Sequence, residues 1–373
     1  MAVFVNRNAP TLSVVIPNWN GAHHLPECLN SLRAQHFQDF ETVVVDNGSS
    51  DDSIKLLEGD FPWVRVIARG DNGGFSSAVN DGIRQTRAPL IVLLNNDTRA
   101  DPGWLQALHD GIQRYPDASM GASRMLLYDP PHRVDSAGDG FSLTAGAGYN
   151  LAAGEAREAV GEDAWVFGAC AGAAIYRRTL FEDIGLFDED FFLVFEDVDL
   201  DLRAQVAGHR CVYLADAIVY HKRGASTDNA SLEVISRSWR NALWVAGKNL
   251  PLTLLWVWSL FFVLRTVRLF GLAIFFRIWR KLRPVTGSQT SAAGRPAPNW
   301  RQGVIARWYW PALNRALRSL PEKRRALRPV RRLGTLRLLP ILLKPRRAIE
   351  DAIEGPGGEK PAKPRIDKAG PKR

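Results

Sequence analysis

Two short clusters of polar residues are placed where they could do chemistry. In residues 90–97, "LIVLLNND", an apolar run of strand character stops on Asn95, Asn96 and Asp97. A carboxylate at the end of a buried strand pays a desolvation cost unless something binds it, so Asp97 calls for a metal ion or for the N–H groups of a helix start. In residues 191–203, "FFLVFEDVDLDLR", Glu196 and Asp197 follow an apolar aromatic run that would desolvate a carboxylate and raise its pKa. A general base needs that tuning. A plainer account also fits this series: acids in a first turn favour the helix dipole, and Asp199 with Arg203 makes an i,i+4 pair. His221 closes the strand-like "AIVYH", where an imidazole serves as a structural hydrogen bonder or as a ligand.

The elements that must position these groups alternate. "LSVVIPNWN", "FETVVVD", "WVRVIAR" and "PLIVLLNND" read as strands, separated by the helical stretches "HLPECLNSLRAQ", "SIKLLEGDF" and "GFSSAVNDGIRQT". Short connections between strand and helix predict an α/β fold, with a mostly parallel sheet covered by helices on both faces. Ligands of such sheets sit outside the carboxyl ends of the strands, where this chain places Asn18 to Asn20, Asp46 to Ser50, Asp71 to Gly74 and Asn95 to Asp97. Asp46, directly after "TVVV", is suited to accept hydrogen bonds from a base or ribose. Ser49, Ser50 and Asp51 fit either a turn or a helix cap. Gly73 and Gly74 open a helix where backbone could approach a phosphate, or simply form a tight turn. The small residues from Gly168 to Gly172 permit either ligand approach or tight strand packing.

Taken together, "SVVIPNWNG", "VVVDNGSSDDS", "GDNGGFSSAVNDGI" and "LLNNDT" resemble the nucleotide-sugar half of a family 2 glycosyltransferase with the GT-A (Rossmann-like) fold, most similar to its rhamnosyltransferase and galactofuranosyltransferase branches. The resemblance covers roughly residues 11–240. It implies a nucleotide-sugar pocket made by Pro17, Asn18, Asn20, Asp46, Ser49, Asp51, Asn72, Gly73, Gly74, Phe75, Asn80, Asn95, Asn96 and Asp97, with Asp46 on the nucleobase. It places the catalytic base on Asp197, with Glu196 orienting the site, and Gly168, Ala169 and Cys170 on the acceptor side. The family's metal triplet is usually Asp-x-Asp, but Asn95 stands where the first carboxylate would be. One carboxylate holds a divalent ion more weakly than two, so the resemblance implies Mg2+ or Mn2+ on Asp97 and His221 together with the donor diphosphate. The implied reaction is inverting transfer from a nucleotide-diphosphate sugar, with rhamnose the leading donor and galactofuranose or an N-acetylhexosamine next.

Charge divides the chain. Residues 1–240 hold 20 Lys+Arg against 33 Asp+Glu, a balance of −13, whereas residues 241–373 hold 28 against 6, or +22. The reading is a catalytic domain over 1–240, a hydrophobic and basic membrane-associating region over 241–349 and a disordered basic tail over 350–373. "LPLTLLWVWSLFFVL" is short of a bilayer span, and Arg265 and Arg268 separate it from "LFGLAIFF", so an interfacial or re-entrant helix pair is expected. Eight of the twelve tryptophans lie between residues 239 and 310, a placement that favours the bilayer interface. The Leu-rich, Arg-rich pattern suits anionic lipid headgroups better than a nucleic acid, and no nucleic-acid partner is expected. A lipid-linked glycan acceptor at the cytoplasmic face of the inner membrane follows as the expectation. Cys28, Cys170 and Cys211 fit no zinc spacing or disulfide framework, and "MAVFVNRNAP" is not a secretory signal.

Three other functions compete. A nucleotide-sugar-binding module without catalysis would use the same pocket. A polysaccharide synthase would need several long apolar spans and a Gln-x-x-Arg-Trp pattern, neither of which is present. Nucleotidyl transfer would need a glycine and lysine signature where this chain has "PNWNG".

Overall fold

The protein is described by a computed structural model covering residues 9–144, 147–222, 232–282 and 310–343. The tail expected over 350–373 lies outside the described residues. The first half alternates as the sequence predicts: β1 (Leu12–Asn18), α1 (Leu25–Arg33), β2 (Phe40–Asp46), α2 (Ser53–Asp60), β3 (Arg65–Ala68), α3 (Gly74–Gln85) and β4 (Leu90–Leu94). There follow β5 (Thr98–Ala100), α4 (Trp104–Arg114), β6 (Ala118–Leu127), β7 (Val134–Ser136), β8 (Asp139–Ser142), β9 (Ala147–Asn150), β10 (Ala164–Val166), β11 (Ala173–Arg177), α5 (Arg178–Ile184), α6 (Glu196–Ala207) and β12 (Arg210–His221).

The main sheet runs β10-β12-β6-β11-β4-β1-β2-β3. Strands β1 to β4 pair in parallel, as do β6 and β12, while β11 enters antiparallel between β4 and β6. Strand side chains alternate between two apolar layers. Leu12, Val14 and Ile16 meet α1, α2 and α4, whereas Val15, Val43 and Val45 meet α3, α5 and α6. Burial on both faces explains why the strands read as unbroken apolar runs. Helix α1 shows the matching helical spacing, with Leu25, Cys28, Leu29 and Leu32 buried.

Helices α7 (Leu232–Asn249), α8 (Leu252–Leu282), α9 (Trp310–Ala326) and α10 (Thr335–Leu342) complete the described chain. They share a third apolar cluster with α6, in which Trp244, Leu250, Leu254, Trp258 and Leu338 pack against Val198, Leu202 and Val206. Several cations of this basic stretch are used inside the molecule. Lys248 pairs with Asp188 and Asp199, Lys323 with Asp188, and Arg332 with Asp183. Where a helix pair was expected over 250–276, α8 is one continuous helix of 31 residues. The break falls earlier, at Pro251, which cannot donate a helical N–H. One face of α8 is buried through Leu254, Trp258 and Phe262, and the other exposes Leu252, Trp256, Leu260, Leu264 and Val267. Among the described residues no helix is long and apolar enough to cross a membrane.

Candidate active site

The carboxyl ends of β1, β2 and β4 meet at one edge, and their polar residues form a connected network. Asn18 and Asp46 are register partners across β1 and β2. The Asn18 amide donates to Asp46 Oδ1 at 2.9 Å, and Asn96 donates to Asn18 Oδ1 at 2.7 Å. Ser49 supplies Asp46 with its backbone N–H at 3.0 Å and its hydroxyl at 2.6 Å. Asn20 joins through its N–H to Ser49 Oγ, and accepts from the Ser50 N–H at 2.8 Å. Pro17 lies half-buried in β1 opposite Val45. Asp51 accepts from Ser53 at the first residue of α2, which is the helix-start role.

A second knot holds the loop before α3. Asn47 donates to Asn72 Oδ1 at 2.8 Å and to the Gly74 carbonyl at 3.0 Å, while the Gly73 and Gly74 N–H groups donate back to Asn47 and Asn72. Gly74 has φ +84°, and a Cβ there would lie 2.4 Å from the Phe192 carbonyl oxygen. Phe75 donates its N–H to that same oxygen at 2.7 Å. Asn80 is turned away from the strand ends, its amide taken by the Phe187 backbone and Glu189.

Asp97 is buried and lies 3.3 Å from His221 Nε2. The other ring nitrogen, Nδ1, is 2.6 Å from Asp135 Oδ2. Burial alone would lower the His221 pKa, but the two carboxylates more than reverse this and lift it to about 9. Burial raises Asp97 in turn, and His221 outweighs it, leaving the carboxyl below its ordinary value. The arrangement fits a divalent cation. A carboxylate and an imidazole nitrogen converge, and Asp135 orients the ring from behind as metal-bound histidines require. A cation would displace the proton that the carboxylates otherwise hold on the ring. His24 lies near enough to feel the Asp97 charge, and both its ring nitrogens are buried without a hydrogen-bond partner.

The second acidic group is joined to this one through the β4 end. Asn95 donates its N–H to the Gly172 carbonyl at 2.8 Å, two residues beyond Cys170. Asp139, Cys170 and Asp197 bring one ligand atom each within 4.8 Å of one another, a second set that could hold a cation. Burial, and the charges of Asp139 and Asp197, keep the Cys170 thiol well above its ordinary pKa, making it the weakest ligand of the set. Asp139 lies between Asp197 and Asp201, and burial with these two neighbours raises it strongly. Adjacent carboxyls of this kind share protons. Gly168 and Ala169 turn inward to this group: a Cβ on Gly168 would sit 2.0 Å from the Asp201 carboxyl, and the Ala169 N–H donates to Asp201 at 3.1 Å.

Glu196 is buried, and desolvation with the Asp197 charge lifts its pKa to about 8. Desolvation also raises Asp197, against the N–H groups that favour its charged form. The Val198 N–H donates to Asp197 at 2.8 Å, a contact that favours its charged form and that Glu196 Oε2 lacks. Asn47, Asp135, Asp139 and His24 join the site without any sequence motif that marks them. Asp135 and Asp139 sit in "RVDSAGDGF" with no periodic signal, and only the tertiary fold brings them to His221 and Asp197.

Residues 13–185 match the family described as Glycosyl transferase family 2. Over 242 residues the chain is 31% identical to an N-acetylglucosaminyl-diphospho-decaprenol L-rhamnosyltransferase of Mycobacterium tuberculosis, covering 58% of this chain and 77% of that protein. Its fold is similar to S. aureus TarS 1-349 solved with UDP-GlcNAc, with a TM-score of 0.52 and 19% identity over 85% of this chain and 83% of the other. It is also similar to GalNAc-T7 solved with UDP, GalNAc and Mn2+, with a TM-score of 0.52 and 14% identity over 65% of this chain and 48% of that one. At these identities the structural likeness concerns the GT-A fold alone.

Proposed function

The chain belongs to glycosyltransferase family 2, and from that premise we propose that it moves a rhamnosyl group, with inversion, from a deoxythymidine-diphosphate donor to a lipid-linked glycan at the cytoplasmic face of the membrane. The observation that carries the reading is the junction of two sites at the end of β4: Asp97 with His221 on one side, and Asp197 with its neighbours beyond Gly172 on the other. The name of the Mycobacterium tuberculosis relative, which acts on a diphospho-decaprenol carrier, supports both the rhamnose and the lipid.

Asp46 and the Asn18–Ser49 network face the nucleoside, and the Gly73–Gly74 loop, its own N–H groups held by Asn47 and Asn72, bounds the diphosphate side without donating to it. A divalent cation, Mg2+ or Mn2+, held by Asp97 and His221 would offset negative charge on the departing nucleoside diphosphate. Asp197 takes the proton of the acceptor hydroxyl as that oxygen bonds to the anomeric carbon. The bond from that carbon to the diphosphate oxygen breaks on the opposite face, and its electron pair leaves with the diphosphate. Single displacement needs no carboxylate nucleophile. Protonated Glu196 keeps a second negative charge away from Asp197.

The exposed α8 stripe of Leu252, Trp256, Leu260 and Val267 supports attachment to an anionic lipid surface, which would hold the site near a lipid-borne acceptor. The test is nucleoside diphosphate release by the full chain, with a panel of nucleotide sugars and a bacterial lipid extract, with and without chelator. Release from one donor that needs both metal and extract, and is lost in Asp97→Ala and Asp197→Asn, is the expected result. Donor binding with no turnover under any condition would replace the enzyme by a binding module.

A further inference from the structure

We propose that Asn241, on α7 and far beyond the segment that matches the family, is the positioning residue for Glu196 and Asp197, a role that rests on reading Asp197 as the base. The segment before α6 is strained. Phe192, Val194 and Phe195 have φ of +64°, +73° and +69°, left-handed values disfavoured for residues that carry a Cβ. Such a segment keeps its shape only when its surroundings hold it, and here five consecutive carbonyls are bound from outside. Arg240 donates to the Asp190 and Phe191 oxygens, both at 3.1 Å. The Phe75 N–H takes the Phe192 oxygen. The Asn241 amide takes three, donating to Phe191 at 3.1 Å, Leu193 at 3.0 Å and Val194 at 2.7 Å.

Asn241 is wholly buried, so water cannot replace it. One NH2 group has two hydrogens for these three oxygens, so at least one hydrogen is shared, and Oδ1 accepts from Arg240 Nε at 2.9 Å, which fixes the amide's orientation. The strained residues lead directly into Glu196, so a relaxed loop would rotate the first turn of α6 and move the carboxylates away from Asp139 and Cys170. The Phe75 contact lies one residue past Gly74, and the held loop therefore abuts the Gly73–Gly74 turn, which Asn47 and Asn72 hold independently of Asn241.

The experiment compares full-length wild type with Asn241→Ala, Asn241→Asp, the half-buried Arg240→Met and Asp197→Asn. It reads kcat, KM, donor affinity by calorimetry, the pH profile, and deuterium exchange of the 190–198 peptide. The expected result is a kcat about 30-fold or more lower in both Asn241 variants and several-fold lower in Arg240→Met, about 2 kcal/mol of barrier for the 30-fold change. Donor affinity stays within threefold, exchange of the peptide accelerates, and the acidic limb of the pH profile, which reports ionisation of the base, moves. Wild-type kcat in Asn241→Ala beside an inactive Asp197→Asn overturns the positioning role alone. Full activity in Asp197→Asn overturns the reading of the base and the proposal with it. If Asn241→Ala loses kcat, donor affinity and melting temperature in step while Arg240→Met is unaffected, the amide is only structural and the proposal falls.

Discussion

Lys248→Met is the sharpest test of whether the basic C-terminal helices are built into the catalytic unit. The Lys248 side chain is 4% exposed, with Nζ 2.6 Å from Asp188 and 2.8 Å from the fully buried Asp199. Removing one partner of a buried ion pair costs about 3–5 kcal/mol, because it strands the other charge. Here neither carboxylate is left alone. Lys323 reaches both oxygens of Asp188 at 2.8 Å, and Arg203 and Asn249 remain on Asp199 at 3.3 and 2.7 Å. The loss should therefore lie below that range, at about 2 kcal/mol. With a urea m-value of about 2 kcal/mol/M, the unfolding midpoint moves down by roughly 1 M. Tryptophan fluorescence, to which Trp244 beside Lys323 contributes, follows the unfolding. Burial raises the Asp188 carboxyl, but the two lysines outweigh it and hold it far below its ordinary 3.8. A depressed carboxylate contributes its full stability above the unfolded pKa and loses it as pH falls through the folded one, so the deficit should be constant from pH 6 to 8 and shrink only in strong acid. Asp188→Asn combined with Lys248→Met should lose less than the sum of the two single changes. A midpoint shift under about 0.2 M, or strict additivity, would refute the claim that this pair ties α7 to the loop before α6.

Glu196→Gln reads the second acidic group by its effect on stability. With its folded pKa near 8 against an ordinary 4.5, Glu196 keeps its proton while the unfolded chain has released it, so wild-type stability falls as pH rises between those values. The glutamine variant should lack that slope in melting temperature and exceed wild type at pH 8.5; parallel curves would remove Glu196 from the group. Asp135→Asn weakens the orientation of the His221 ring, and the Mn2+ concentration for half-maximal nucleoside diphosphate release should rise about 10–100-fold. An unchanged metal requirement would place the cation elsewhere, with Asp139, Cys170 and Asp197 the alternative set. Trp256→Asp with Leu260→Asp puts charge on the exposed α8 face and should cut co-sedimentation with anionic vesicles at least tenfold while leaving the melting temperature within about 2 °C. Equal co-sedimentation would move the lipid surface off α8.

What the sequence made legible was local. Strand runs ending in Asn18, Asp46 and Asp97 could be read because a parallel sheet writes burial on both faces as an unbroken apolar string, and because its ligand edge follows from strand direction alone. The same logic found Glu196 and Asp197, which announce themselves by following "FFLVF". It could not find the residues that make those groups function, since Asp135 acts on His221 from 86 positions away and Asn241 on Val194 from 47. Neither carries a local pattern, because a hydrogen bond to a carbonyl or an imidazole asks only for one amide or one carboxylate in the right place. In the same region a charge count says less than the placement of each cation. A net of +22 over residues 241–373 describes a surface only if the cations are on it, whereas Lys248 and Lys323 are turned inward onto Asp188, and Arg324 donates to the Gly247 and Leu250 carbonyls. Lys248, Lys323 and Asn241 act on one short stretch, residues 188–194. The basic region therefore has two features separable by mutation: an exposed apolar face on α8, and an inward set on α7 and α9 that holds the approach to α6.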